Sequence, residues 1–478
     1  MPVRTRQFRD ARTPHRPLVV TPLFPPEMAV AAQDAVFTLR RNTPDLSAAA
    51  PSSLGQLLFM IALGFGAASG LMLAPFATLT LLHALAVWGF AGLAIVRLTA
   101  ALTPLPVARL SPRSDVLPMW TVLVALYEEA DVVASLVAAL DRLDWPTDRL
   151  DILLLVEADD LSTQHAIARL NLSKPYRVLV VPFGQPRTKP RALNVGLAFA
   201  RGQFVTVYDA EDRPSPAQLR AAHAALTDPK QPKQACVQSP LTIHNAQEGW
   251  LTAQFALEYA IQFQIIVPAL VRLGWPVPLG GTSNHFRCDV LRKIGGWDPY
   301  NVTEDADLGI RLMRSGWKTG YIRPETLEEA PPRLRAWLRQ RSRWLKGHAQ
   351  TLGVHTRYPL TLLHEIGPWP MFGFIVTLGG TVVSALLHGP LALGAVLATM
   401  LGVLPRDDTA VLLLGIGSSW VAGAVATYRM GYHSHWAAAL TMPLYWPFQT
   451  LAAVKALHGL VTKPFEWDKT AHGHAARQ

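Results

Sequence analysis

The chain has 478 residues, of which 50% are hydrophobic and only 16% are charged, and its formal net charge is +10. This composition is too apolar for a typical water-soluble enzyme, so part of the chain is expected to lie in a membrane. The positive charge forms no stripe of Lys and Arg interleaved with aromatic residues, which argues against a nucleic-acid partner.

The N-terminal part of the chain combines a polar stretch with two apolar runs. Residues 1–50 are rich in Arg, Pro and Ala, and we expect them to be mobile. Residues 54–74 and 76–96 contain no formal charge, and each run is long enough to cross a hydrocarbon layer of roughly 30 Å. They predict a transmembrane hairpin over residues 54–98.

Four more apolar runs lie near the C-terminus. Residues 366–387, 390–404, 409–428 and 436–454 carry no formal charge, and the second run is short enough to be re-entrant. They predict a bundle of about four spans over residues 366–455, followed by a tail over residues 456–478. Six spans in all make this a multi-pass membrane protein.

Arginine residues set the expected orientation. Seven of them precede the first run, and Arg97, Arg109 and Arg113 follow the second. Positive residues favour the cytoplasmic side, so both flanks of the hairpin are predicted inside. An even number of spans on each side then leaves the central region and both termini in the cytoplasm. The two cysteines, Cys236 and Cys288, share no metal-ligand spacing and fit a reducing compartment.

The central region, residues 99–330, has the pattern of an α/β domain. From residue 119 onward, short apolar runs such as TVLVALY, DILLLVE and FVTVY alternate with amphipathic segments. Such alternation predicts a mostly parallel sheet covered by helices, and ligands of these sheets bind at the carboxyl ends of the strands. No GxxxxGK[ST] or GxGxxG motif is present, which argues against a nucleoside triphosphatase or a dinucleotide oxidoreductase.

Acidic residues follow three of the predicted strands. Carboxylates so clustered repel one another unless a cation neutralises them, and hard oxygen ligands suit Mg²⁺ or Mn²⁺ bridging to phosphates. The pattern therefore predicts a divalent metal and a nucleoside diphosphate substrate. The acids are Glu128, Glu129, Glu157, Asp159, Asp160, Asp209, Glu211 and Asp212.

Two further motifs each allow two interpretations. TEDADLGIRL, residues 303–312, has the features of an ordinary helix start, yet Glu304 and Asp305 could equally serve catalysis. QRSRWLKG, residues 340–347, could be part of an interfacial amphipathic helix. Alternatively, Arg343 and Lys346 could hold a leaving diphosphate while Trp344 offers a flat face to a sugar ring. We predict interfacial helices over residues 331–360.

Taken in order, these motifs resemble those of the membrane-embedded family 2 glycosyltransferases, the group of bacterial cellulose synthase, hyaluronan synthase and mannan synthase. The resemblance covers about residues 119–350 and the flanking spans. ALYEE resembles the loop that receives the nucleoside, ADDLST the family's DDxST segment, and KPRALN its K-x-x-A-L-N segment. YDAED stands where the family has D-x-D, and TED with Q-x-x-R-W completes the order.

The resemblance implies a GT-A-like nucleotide-sugar-binding domain and an inverting transfer with Asp305 as general base and Glu304 in support. It implies a bacterial inner-membrane location, and the tail segment PFEWDKTAHG resembles the family's post-membrane segment. Because YDAED departs from D-x-D, either Glu211 or Asp212 is the second metal acid beside Asp209. The implied donor and nucleotide residues are Tyr127, Glu129, Asp159, Asp160, Lys189, Asn194 and Asp209; the diphosphate and acceptor residues are Gln340, Arg343, Trp344 and Lys346.

The acceptor and donor remain open at the level of sequence. Processive synthesis of a polysaccharide with export, involving a periplasmic or outer-envelope partner, is the leading hypothesis. A single transfer to a lipid acceptor is the alternative, and a transporter or receptor with a nucleotide-sensing domain is a remote third. UDP-glucose is the first expectation for the donor, with GDP-mannose as its competitor.

Overall fold

The computed structural model describes residues 24–106, 117–431 and 436–465. The first α-helices of the described residues are α1, α2 and α3, of which the second and third form the predicted hairpin. Helix α1 is followed by a short connection and then by α2, whose first turn is closed by a capping box between Ser53 and Gln56. The bounds are α1 Pro26–Asn42, α2 Leu54–Leu73 and α3 Pro75–Leu102.

The central domain is built from strands and helices in alternation. Up to the end of the fourth strand the elements are β1 Trp120–Leu126, α4 Val133–Leu140, β2 Leu150–Glu157, α5 Leu161–Arg169, β3 Tyr176–Val181, α6 Lys189–Phe199 and β4 Phe204–Tyr208. The next elements are β5 Arg213–Pro214, α7 Gln218–Leu226, β6 Gln234–Gln238, β7 Leu241–Ile243, α8 Trp250–Ile261, α9 Val267–Leu273, β8 Asn284–Arg287 and α10 Cys288–Lys293. A π-helical turn, Gln262–Ile266, joins α8 to α9.

The remaining elements lead from the end of the central domain to the C-terminal helices. They are α11 Glu304–Arg314, β9 Lys318–Tyr321, β10 Thr326–Glu328, α12 Leu334–His355, α13 Pro359–Ile366, α14 Pro368–Phe374, α15 Gly380–Met400, α16 Arg406–Met430 and α17 Trp436–Thr462. A second π-helical turn, Ile375–Gly379, makes α14 and α15 one continuous segment.

The seven-stranded sheet has the order β3-β2-β1-β4-β8-β6-β9. Only β8 runs antiparallel to its neighbours, β4 and β6, so the sheet is mostly parallel as expected. Its central strands β1 and β2 are buried along their length because helices cover both faces, which explains their continuous apolar sequences. The carboxyl ends of β1, β2 and β4 lie side by side and carry the predicted acids.

The predicted mobility of residues 1–50 is wrong for α1. This helix packs against α6 through a buried face formed by Met28, Ala31, Ala35, Val36 and Leu39. The apolar residues of AVAAQDAVFTL recur with helical spacing, and burying them outweighs the Pro-rich composition on which the expectation rested. Residues 1–23 lie outside the described part of the chain, as does most of the C-terminal tail.

Five helical segments among the described residues are long and apolar enough to cross a membrane, judged by length and composition. Four of them bury less than a third of their most apolar stretch, as expected for lipid-exposed spans: Leu54–Leu73, Pro75–Leu102, Pro368–Met400 and Arg406–Met430. The fifth, Trp250–Leu273, is 78% buried inside the molecule and forms part of the domain core. These helices make the protein membrane-associated.

The C-terminal helices differ from prediction in two respects. The predicted spans 366–387 and 390–404 form one segment, because Pro390 lies within the continuous helix α15. In addition, α17 continues to Thr462, through the first residues of the predicted tail, and packs along α12. The Gln254 side chain donates to Ala438 O near one end of α17, and Lys346 Nζ donates to Lys463 O at the other. Both ends of α17 therefore contact the central domain.

Candidate active site

A single cavity of about 670 Å³ collects the principal side chains singled out by sequence. It opens along the carboxyl ends of β1, β2 and β4 and continues between α3, α15 and α17. The predicted site residues that line it are Tyr127, Glu129, Lys189, Asp209, Glu211, Glu304, Asp305, Gln340, Arg343 and Trp344. Asp159, Asp160, Asn194, Asp212 and Lys346 lie outside the lining that the described residues form.

The end of the cavity near Tyr127, where the sequence predicts nucleoside binding, is shaped by the loop after β1. The Arg187 guanidinium lies 4.5 Å from the centre of the Tyr127 ring and pairs with Asp159. Asp160 caps α5 by accepting the Thr163 N–H, and it also accepts the N–H of Glu128, a residue with a positive φ of 55°. Asp160 thus stabilises a backbone conformation that is unfavourable for Glu and so fixes the loop.

Lys189 interacts with acids from two elements of the site: Asp209 after β4, and Glu304 and Asp305 at the start of α11. Its Nζ pairs with Asp209 and donates to Gly281 O at 2.7 Å. A side-chain carbon on Gly281 would lie only 3.4 Å from Asp305 Oδ2. The loop before β8, residues 280–283, therefore passes directly beside the predicted base. Burial alone would lower the pKa of Lys189, but Asp209, Glu304 and Asp305 raise it overall, and Lys189 keeps its positive charge.

Glu304 and Asp305 begin α11, and their surroundings affect the pKa values of the two carboxyl groups differently. Burial and the adjacent Asp305 charge raise the pKa of Glu304 to about 8. Burial also raises the pKa of Asp305, but the Ala306 N–H, Lys189 and Arg343 oppose this increase. At neutral pH Glu304 therefore largely keeps its proton, while the Ala306 N–H, Lys189 and Arg343 favour the charged form of Asp305, the form that can accept a proton.

The third acid of the motif, Asp307, orients α11 rather than facing the cavity. It is fully buried, pairs with Arg311 Nε at 2.7 Å and contacts His355 Nε2 at 3.1 Å. Burial works to raise the pKa of Asp307, but Arg311 and His355 lower it overall. Because His355 belongs to α12, this contact joins the helix of Asp305 to the helix of Arg343.

The start of α11 also approaches α12 directly. A side-chain carbon on Gly347 would collide with the Thr303 side chain, so only glycine permits this approach. On the same helix, Arg341 lies 4.6 Å from the centre of the Trp344 ring and covers it. Gln340 Oε1 is buried without a hydrogen-bond partner among the described residues, although Gln340 lines the cavity. An unpaired acceptor in this position is available to a ligand.

Two predicted residues have structural contacts instead of cavity contacts. The Asn194 amide donates to Ala35 O at 2.9 Å and to Trp297 O at 2.8 Å, and its oxygen accepts from Trp297 N–H. It thereby ties α1 to the loop that precedes α11. Lys346 Nζ donates to Lys463 O at 3.1 Å, so its ammonium lies against the end of α17.

The acids after β4 occupy two different environments. Asp209 and Glu211 line the cavity, whereas Asp212 is 1% exposed and accepts from the Asp209 N–H and the Thr282 hydroxyl. Burial and the neighbouring acids raise the pKa of Asp212 well above its usual range. Among the described residues no group of three His, Cys, Asp or Glu side chains is arranged to hold a metal ion. Asp209 and Glu211 nevertheless fit a cation whose other ligands are phosphate oxygens and water.

Two further residues of the cavity were not among the predicted donor, catalytic or acceptor residues: Glu157, predicted only as one of the acids at the strand ends, and His348, which the sequence pattern did not single out. Glu157, at the end of β2, contacts buried Arg191 at 3.3 Å, and burial raises its pKa to about 7 despite that cation. His348 also lines the cavity, and burial lowers its pKa to about 4, which leaves the ring neutral. The position of His348, four residues after Trp344, places it on the same face of α12 and could have identified it.

Comparison with known proteins agrees with this fold. Residues 121–269 match glycosyl transferase family 2, and residues 204–406 match glycosyl transferase family group 2. A mannosyltransferase from Pyrobaculum calidifontis, solved in complex with GDP-Man and Mn²⁺, has a similar fold, with a TM-score of 0.50 and 19% identity over 79% of this chain and 96% of that chain.

The curated relatives are glycosyltransferases as well. The β-monoglucosyldiacylglycerol synthase of Trichormus variabilis is 29% identical over 55% of this chain and 56% of its own length. Glucomannan 4-β-mannosyltransferase 7 of Arabidopsis thaliana is 27% identical over 49% of this chain and 43% of its own length. The chain thus spans about half the length of these relatives.

The two family matches place residues 121–406 of this chain in the class of glycosyltransferases. Within that class, the chain carries domains of glycosyltransferase family 2.

Proposed function

We propose that this protein transfers a hexose from a nucleoside diphosphate sugar to a growing polysaccharide with inversion at the anomeric carbon. The observation that carries this proposal is that Asp305, Lys189, Asp209 and Arg343 line one cavity. A carboxylate suited to act as a base thus lies in the same cavity as two cations and a metal-binding acid suited to a diphosphate. UDP-glucose is the proposed donor and GDP-mannose its competitor.

In the proposed reaction, the acceptor hydroxyl attacks the anomeric carbon while Asp305 takes up its proton. Lys189 and Arg343 stabilise the negative charge that develops on the departing diphosphate, an interaction strongest in the transition state. Asp209 and Glu211 would hold Mg²⁺ or Mn²⁺, which supplies further positive charge to the diphosphate when bound. Neutral Glu304 limits the negative charge beside the donor.

The extension of the cavity between α3, α15 and α17 supports an acceptor that reaches the site from the membrane side. A growing glycan would leave by this route, with an export partner beyond the membrane. A lipid acceptor is the second candidate, and the apolar wall formed by Leu93, Val96, Val376 and Met442 favours it.

The product distinguishes the two acceptors. Purified protein given labelled UDP-glucose or GDP-mannose should yield a high-mass, glycosidase-sensitive polymer. A single species that enters organic solvent would contradict polymer synthesis and support the lipid acceptor instead.

The pH dependence of kcat/KM should reveal the loss of the Glu304 proton. In the wild type, loss of the Glu304 proton near pH 8 places a second negative charge beside the anionic donor, so we expect kcat/KM to fall through that pH. Glu304→Gln should retain transfer at pH 7, since the acid is already protonated there, and should lack this fall. Initial rates between pH 6.5 and 9 provide the measurement. A Glu304→Gln variant as inactive as an Asp305 variant at pH 7 would contradict the assigned protonation state.

We also propose a topology of two spans on each side of a cytoplasmic catalytic domain. The spans are α2, α3, the α14–α15 segment and α16, whereas α17 lies along the domain, so both termini remain in the cytoplasm. A cysteine at Val403, exposed between α15 and α16, should react with a membrane-impermeant maleimide in spheroplasts, and one at exposed Arg272 should not. The reverse labelling would contradict this topology.

A further inference from the structure

Arg97 is a cation in a predominantly apolar part of the cavity. It belongs to α3, is enclosed by protein while retaining some accessible surface, and lines the cavity together with Leu93 and Val96. Across residues 24–106, 117–431 and 436–465, no carboxylate forms an ion pair with it. A charged guanidinium in such surroundings is costly unless an anion accompanies it.

The hydrogen bonds of Arg97 leave part of its donor capacity available. Among the described residues, the protein hydrogen bonds of Arg97 are made by Nη1, which donates to Ser419 Oγ at 2.7 Å and to Ser418 Oγ at 3.2 Å. Nε and Nη2 have no protein acceptor in the described part of the chain. The two serines of α16 therefore fix one side of the guanidinium and leave two donors for a ligand, in the geometry that matches two oxygens of one phosphate.

A second polar group faces the same region. His388 of α15 also lines the cavity, and its Nδ1 is buried without a hydrogen-bond partner among the described residues. Its ring stacks on Trp446 with the centroids 5.4 Å apart, which fixes its orientation. His388 is also close enough to Arg97 for electrostatic interaction. Two independent polar groups thus lack protein partners in one part of the cavity.

The surroundings favour a ligand with both a phosphate and an apolar part. Leu93 and Val96 lie within about one turn of Arg97 on α3, and Val376 before α15 and Met442 on α17 add apolar wall to the same cavity. Free phosphate would satisfy the guanidinium but would leave this wall in contact with water. A lipid chain would cover the wall and gain the free energy of burying apolar surface.

We propose that Arg97 is the anion-binding residue of a lipid subsite, where it binds the phosphate of a membrane lipid whose chain lies along this apolar wall. His388 Nδ1 provides a second polar contact to the head group. The subsite belongs to the cavity that holds Asp305, so its occupant lies on the acceptor side of the catalytic centre. Lipid binding at Arg97 is measured without sugar transfer, so the proposal can fail or succeed independently of the proposed function.

The test is lipid binding by native mass spectrometry of the full chain in detergent. Phosphatidylglycerol, diacylglycerol with the same acyl chains, and inorganic phosphate are the three probes. We expect wild type to retain phosphatidylglycerol, and Arg97→Gln to bind it about tenfold more weakly, as the loss of charged hydrogen bonds implies. Arg97→Lys should fall between them, and diacylglycerol binding should be equally weak in all three proteins.

Arg272→Gln is the matched control, because Arg272 is exposed and lies outside the cavity lining that the described residues form. It removes one positive charge and should leave lipid binding unchanged. Thermal unfolding of each variant in detergent identifies a loss of fold, and Ser419→Ala provides a second, milder perturbation if Arg97→Gln does not fold. Equal binding of phosphatidylglycerol by wild type and Arg97→Gln would overturn the proposal. So would displacement of the lipid by inorganic phosphate at the same concentration.

Discussion

Asp305→Asn is expected to reduce sugar transfer by about a hundredfold to ten-thousandfold, the range that general-base catalysis typically contributes. The amide cannot accept the proton of the attacking hydroxyl, yet it preserves the shape of the carboxylate and its place at the start of α11. Donor affinity should therefore persist. The measurement is the initial rate of sugar transfer, accompanied by titration of the variant with the nucleotide sugar.

The control for this variant is Asp289→Asn, which changes an exposed acid paired with Arg287. It should transfer sugar at the wild-type rate, because Asp289 lies outside the cavity lining that the described residues form. Turnover by Asp305→Asn within a few-fold of wild type would show that another group accepts the proton.

Asp209→Ala is expected to weaken metal-dependent donor binding by tenfold or more. The substitution removes a cavity-facing carboxylate that fits a divalent cation, and it also separates Lys189 from its ion-pair partner. Titration of the donor at several Mg²⁺ or Mn²⁺ concentrations provides the measurement. A metal requirement identical to that of wild type would count against a ligand role for Asp209.

The neighbouring acids make this experiment more specific. Glu211→Gln should also raise the metal concentration needed, because Glu211 lines the cavity. Asp212→Asn should have a smaller effect, since Asp212 is buried outside the cavity lining that the described residues form, and burial raises the pKa of its carboxyl, which disfavours the charged form. A larger effect at Asp212 than at Glu211 would reverse the assignment that the geometry favours.

The parts of this protein that could be predicted from sequence depend on local patterns. Buried parallel strands such as β2 are continuous apolar runs, and their carboxyl ends must meet at one edge of the sheet. The positions of Glu157 and Asp209 follow from that rule alone. The helix start at Thr303 likewise follows from its residues, and Glu304 and Asp305, which begin this helix, also line the cavity, as their predicted catalytic role requires.

The features that escaped prediction depend on contacts between distant segments. Nothing in the local sequence of α1 indicates that it packs on α6, where Asn194 donates to Ala35 O. Proline usually breaks a helix, yet Pro390 lies inside α15. In apolar surroundings the backbone N–H and C=O groups must pair with one another, which favours a continuous helix. The separation of Asp212 from the cavity depends on Thr282, seventy residues away in sequence.

The central claim is that the cavity around Asp305 transfers sugar from a nucleoside diphosphate donor. The most direct measurement incubates purified wild type and Asp305→Asn, in detergent with native membrane lipid and Mg²⁺ or Mn²⁺, with a panel of radiolabelled nucleotide sugars. Released nucleoside diphosphate and acceptor-bound label are both quantified. We predict that wild type transfers label from one donor, UDP-glucose or GDP-mannose, and that Asp305→Asn binds this donor without transferring its sugar. Equal transfer by both proteins, or transfer by neither with any donor in the panel, would contradict the account.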